Sequence, residues 1–237
     1  MAPLVALAIL AASPVEMRQD SDLEFAVDEA FQQDGGVQYF YELAEPGPQP
    51  SSALTRFRAM DPESTLDDPY VVVMSRLVYT VERDISFFTE ARARDVSYLQ
   101  QVAPDMGVRL EPDGTFRVNR TPSNRFKLTW FEEPVAGKAP AMTAFFGLLP
   151  QGAKPASVVL QKNFDFARVM GWRTGERAIT YTAHFAIAPG RTRVVVCSMS
   201  LMHHLPPFFL GGRGRVFRES VDGAASLIGQ LRAWTEE

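Results

Sequence analysis

Between Arg177 and Ala188 the chain alternates with a period of two. Ile179, Tyr181, Ala183, Phe185 and Ile187 fall on one side, and Thr180, Thr182 and His184 on the other. That period marks a strand whose two faces meet different surroundings. The Val-rich run 191–204 predicts a second long strand, and Pro189-Gly190 between them predicts a tight turn. Further strands are predicted at 37–43, at 70–80, at 125–131, where Phe126, Leu128 and Trp130 share a face, and at 157–166. Residues 108–119 predict a hairpin turning at Pro112-Asp113-Gly114. Residues 141–150 are an apolar run that predicts a strand, and for this run as for 157–166 a short helix is the alternative.

Helical spacing is predicted in three places. Leu23, Phe25, Ala26, Ala30 and Phe31 recur over 21–33, with Gly35-Gly36 as the stop. Ile85, Phe88, Ala91, Val96, Leu99 and Val102 recur until Pro104. Phe217, Val221, Ala224, Ile228 and Leu231 step by four and three residues, which gives one apolar stripe on a long C-terminal helix. Two loops rich in proline bracket a poorly patterned stretch before residue 70. The organisation read from the sequence is therefore a possible signal peptide over 1–20, an N-terminal extension over 21–69 and an α+β domain over 70–237. The signal reading rests on the unbroken apolar run Leu4–Ala12 and on the small residues Ala11-Ala12-Ser13 at its end. No Lys or Arg precedes that run, and a buried first helix is the alternative.

Composition narrows the function classes. The chain has 237 residues, 46% of them apolar, enough for a sizeable core. A net charge of −4 argues against general nucleic-acid binding, which needs a basic face. One cysteine, Cys197, excludes an internal disulfide and any metal site built from several cysteines. Its alternation with Val195, Met199 and Leu201 makes it a small buried hydrophobe. Lysine occurs only at Lys127, Lys138, Lys154 and Lys162, with arginine in excess, a usage common in GC-rich bacterial genomes. Together with the apolar leader, this predicts a soluble periplasmic or secreted protein.

The order of strand, helix, antiparallel strands and final helix resembles the START-like superfamily, the helix-grip proteins of lipid transfer and polyketide cyclisation. The resemblance is carried by YVVVMSRLVYTVERDISFFTEA at the front and LPPFFLGGRGRVFRESVDGAASLIGQLRAW at the back, over about residues 70–236. It implies an α+β fold in which a curved antiparallel sheet grips the C-terminal helix. It also implies a ligand space between sheet and helix. In such an arrangement the apolar strand faces point toward the helix. Phe126, Leu128, Trp130, Tyr181, Phe185, Met199 and Leu201 would then line the space from the sheet. Phe217, Val221 and Ile228 would line it from the helix, with Phe208 and Phe209 near its mouth. The expected partner is a hydrophobic small molecule, a lipid or fatty acid, with transient membrane contact open through the Phe208-Phe209 loop.

Other chemistry is sparse. No cofactor fingerprint exists, so no cofactor is expected. His203 and His204 point to opposite faces if extended, and only His184 could join them, which argues against a metal site. Arg213, Arg215 and Arg218 follow a glycine-rich turn at a predicted helix start, where an anion could dock; a solvated cationic turn is the alternative. A cyclase or hydratase using Tyr181 or His203 for proton transfer is the competing function, and a packed interaction protein is the third.

Overall fold

The computed structural model describes residues 15–17, 38–44, 52–62, 71–89, 108–118, 125–131, 140–163, 168–169, 172–173, 177–202, 228–230, 232–233 and 235–236. A nine-stranded sheet dominates them. Its strands are β1 (Val15–Met17), β2 (Gln38–Ala44), β3 (Val71–Val81), β4 (Val108–Leu110), β5 (Phe116–Val118), β6 (Arg125–Phe131), β7 (Ser157–Asn163), β10 (Arg177–Ala188) and β11 (Arg191–Met202). The spatial order is β1-β2-β3-β11-β10-β7-β6-β5-β4. Every pairing is antiparallel except that of β1 with β2. The short strands β8 (Arg168–Val169) and β9 (Trp172–Arg173) form a separate ribbon.

Strands β2 to β7, β10 and β11 fall where period-two patterning and β-branched residues predict them, whereas β1, β8 and β9 lie outside every predicted strand, and the turns follow from local chemistry. Gly114 (φ 77°) and Gly190 (φ 72°) occupy left-handed backbone at the tips of the β4–β5 and β10–β11 hairpins, a conformation glycine adopts without a Cβ penalty. Asp113 holds the first of these tips by accepting from the Thr115 amide at 3.0 Å and the Thr115 hydroxyl at 2.6 Å.

Among the described residues, the short helices α1 (Ser52–Met60), α2 (Ser86–Thr89) and α3 (Pro140–Phe146) accompany the sheet. α3 resolves the ambiguous apolar run 141–150 as a helix. Pro140 suits a first helical position, and Met142 and Phe145, three residues apart, turn the same way into the core. α1 occupies the stretch that lacked a pattern; with nine residues it is too short for a repeating stripe, and among its described side chains Phe57 and Met60 mark the buried side. β2 pairs with β3 in the main sheet, and Phe57 and Met60 of α1 pack in its core. Of the helix predicted before Pro104, α2 is described. The stripe residues Phe217, Val221, Ala224 and Leu231 lie outside the described residues; 228–230, 232–233 and 235–236 are helical. Among the described residues no helix is long and apolar enough to cross a membrane.

Candidate functional site

Antiparallel register places directly paired residues on the same face, so the pairings sort the side chains into two sets. On the first face Met74, Val78, Val158, Leu160, Ile179, Tyr181, Ala183, Phe185, Val195, Cys197, Met199 and Leu201 form one cluster with Phe57 and Met60 of α1 and Met142, Phe145, Leu148 and Leu149 at α3. Every one of these is buried. The Phe145 ring stacks on Tyr181 at 4.6 Å between centroids. This face is a closed core.

Polar groups at its margin fasten α1 to the sheet. The Tyr181 hydroxyl donates to the Met60 carbonyl at 3.0 Å. Burial pushes the Tyr181 phenol above its ordinary range, helped by the Asp61 charge, so it remains a hydrogen-bond donor at neutral pH. Asp61, with no exposed surface, lies 3.1 Å from Lys162 Nζ and 3.2 Å from Arg177 Nε. Arg76 is also buried on this face. Burial likewise raises the Cys197 thiol, and the Arg76 charge opposes that rise.

The second face is built differently. At one end Leu77, Tyr79, Val81 and Val194 pack with Phe88 of α2 and with Ile228. Asp84 supports this end: its carboxylate accepts from the Ser86 amide at the start of α2. Arg232 donates twice to the Thr80 carbonyl, at 3.1 and 2.8 Å, and Arg83 donates to the Thr235 carbonyl, which holds the C-terminal helical residues to the same end. Beneath Phe88, Ser157 Oγ lies 2.9 Å from His184 Nδ1, and the imidazole stacks on the Phe88 ring at 4.6 Å. Burial lowers the His184 pKa to about 4.

Away from that end the second face changes character. The row Trp130–Val159–Thr182–Val196 crosses four adjacent strands, and the row Leu128–Gln161–Thr180–Ser198–Ser75 crosses five. Most of these side chains are half-buried, neither core nor open surface. Thr180 and Ser198 share a hydroxyl–hydroxyl bond of 2.9 Å, and Gln161 donates to Asn163 at 3.0 Å. Charge is segregated between the faces. Among the described side chains of the sheet, Arg76, Arg109, Arg117, Lys127, Lys162, Arg177, Arg191 and Arg193 all alternate to the first side. Among the described side chains of the sheet strands, none on the second side is Asp, Glu, Lys or Arg; Arg83 and Arg232, outside the strands, reach its apolar end.

The predicted lining residues divide between the faces. Phe126, Leu128 and Trp130 belong to the second face, Phe126 stacking on Phe116 at 5.0 Å, and Ile228 packs at its apolar end. Tyr181, Phe185, Met199 and Leu201 belong to the first face, against α1 and α3. The two groups are on opposite sides of one sheet and do not border one space. Alternation within a strand shows which residues share a side; only the pairing between strands shows which sides coincide. Within their own strands Gln161, Thr180, Thr182 and Ser198 lie on the more polar side of the alternation, and only the pairing places them on one face with Leu128 and Trp130. His203, Phe208, Phe209, Arg213, Arg215, Phe217, Arg218 and Val221 lie outside the described residues. Among the described residues no three His, Cys, Asp or Glu side chains converge as a metal site.

No family model matches the chain, and no curated protein sequence does. Among solved structures it bears a weak likeness to the human StarD13 (DLC2) lipid transfer and protein localization domain. The TM-score is 0.33 and the identity 13%, over 79% of this chain and 98% of that one.

Proposed function

We propose that the chain binds a hydrophobic small molecule of the lipid class on the second face of its sheet. The observation that carries this reading is the contrast between the faces. The first is filled by two helices. Among the described strand side chains the second presents uncharged groups: Leu128, Trp130, Val196, Thr180 and Thr182, all half-buried, around the buried Val159. Ligand surfaces are mostly apolar with a few placed polar groups, and this one has that composition. Carriage of such a ligand in the bacterial envelope is the setting that the Leu4–Ala12 run implies.

Neighbouring substitutions test it. Thr182 and Ala183 are consecutive but face opposite sides. Thr182→Trp fills the proposed site and abolishes uptake of the fluorescent hydrophobe Nile red while the melting curve stays close to that of the parent. Ala183→Trp overpacks the closed face and destabilises the fold by about 1–3 kcal/mol. Absence of Nile red binding by the parent protein refutes the reading. Unchanged binding by a folded Thr182→Trp variant refutes the assigned face.

A further inference from the structure

Resting on that reading, we infer that the ligand is an uncharged amphiphile, a long-chain alcohol, ester or ketone, bound in preference to one with an ionised headgroup. The described sheet groups that can meet a polar ligand atom away from the apolar end of this face include the hydroxyls and side-chain amides of Ser75, Gln161, Asn163, Thr180, Thr182, Ser198 and Ser200. Taking a carboxylate or phosphate out of water without a counter-charge costs several kcal/mol. A neutral hydroxyl or carbonyl needs only a donor and an acceptor. The bonded hydroxyl pair Thr180–Ser198 retains both kinds of capacity, since one mutual bond uses one of its two hydrogens and one of its four lone pairs.

The polar groups are also graded along the strands. Gln161, Thr180 and Ser198 form one row, with neighbouring strands about 4.8 Å apart. Two residues along, the next row is Trp130, Val159, Thr182 and Val196; two further on come Val194 and Tyr79 beside Phe88 and Ile228. A ligand lying along the strands over these rows, about 13 Å apart end to end, meets neutral hydrogen-bonding groups at one end and an increasingly apolar surface toward the other. The cations of the sheet cannot neutralise a headgroup there, because the backbone separates them from it: Lys162 and Arg177 turn to the opposite side, where Asp61 holds them.

The test is displacement of Nile red at pH 8 by three ligands with one acyl chain: oleyl alcohol, methyl oleate and oleate. Oleyl alcohol and methyl oleate are expected to compete at concentrations at least about tenfold lower than oleate. Thr180→Val combined with Ser198→Ala weakens oleyl alcohol about three- to tenfold, as loss of a neutral hydrogen bond does. Gln161→Leu serves as a second variant should the first not fold. Oleate binding as tightly as the alcohol overturns this inference and leaves the lipid reading standing. So does an alcohol affinity that neither variant changes. If Nile red does not bind the parent protein, both readings fail together.

Discussion

His184 shows how a single residue takes its properties from partners far away in the chain. By sequence it is one more position on the threonine side of an alternating strand. Its bonding partner Ser157 lies 27 residues earlier, and the ring that covers it, Phe88, comes from α2. No local pattern announces either contact. Burial holds its pKa at about 4, below the ordinary 6.5. Between those values the unfolded chain binds a proton that the folded chain refuses. The contribution of His184 is therefore complete above about pH 6.5 and is lost as pH falls toward 4. The displacement corresponds to about 3 kcal/mol. Urea unfolding between pH 4 and 7 should show this slope, and His184→Gln, whose amide can still reach Ser157, should flatten it. A variant with the slope of the parent would show that other groups govern the acid limb.

Among elements, legibility follows length and repetition. β10 and β11 each run twelve residues and announce themselves. α1 has nine and α3 seven, too few turns for a stripe, so one went unread and the other stayed ambiguous between strand and helix. Such short helices gain little from propensity alone and depend on what they pack against. For α1 that dependence concentrates at its C-terminal end. Asp61 stands where the helix dipole disfavours a carboxylate, and Lys162 and Arg177 compensate. Asp61→Asn should cost about 1–3 kcal/mol. That is less than the usual penalty for breaking a buried pair, because both cations retain about a fifth of their exposure and can turn to water. The loss should be localised, with amide exchange accelerating in 52–60 before β10 or β11 is affected. Uniform acceleration across the sheet would mean that α1 is not a separately released element.

At the scale of the molecule, the sequence shows an antiparallel sheet of about the right strands but not which way each strand faces. The candidate site follows from that second fact. An apolar strand side was the natural choice for a ligand surface, yet the more apolar side of β10 and β11 is the one that α1 and α3 close, and the mixed side is left half-buried. The same layering sets where the sheet is strongest. β3, β11 and β10 lie at its centre with side chains packed on both faces: Met74, Val78, Cys197 and Met199 on one, Leu77, Tyr79 and Val194 on the other. The β4–β5 hairpin lies at one edge, with the Phe116–Phe126 stack behind it and Leu110 exposed. Opening free energies follow buried packing, so amides in the middle of β11 should exchange at the rate of global unfolding. Those of β4 and β5 should exchange at least about a hundredfold faster, equivalent to about 3 kcal/mol. Saturation with oleyl alcohol should then slow exchange chiefly in β6, β7 and β10, the strands that carry Trp130, Gln161 and Thr180, and leave α1 and α3 unchanged. Protection gained at α1 and α3 instead would move the ligand to the first face and reverse the assignment of the two sides.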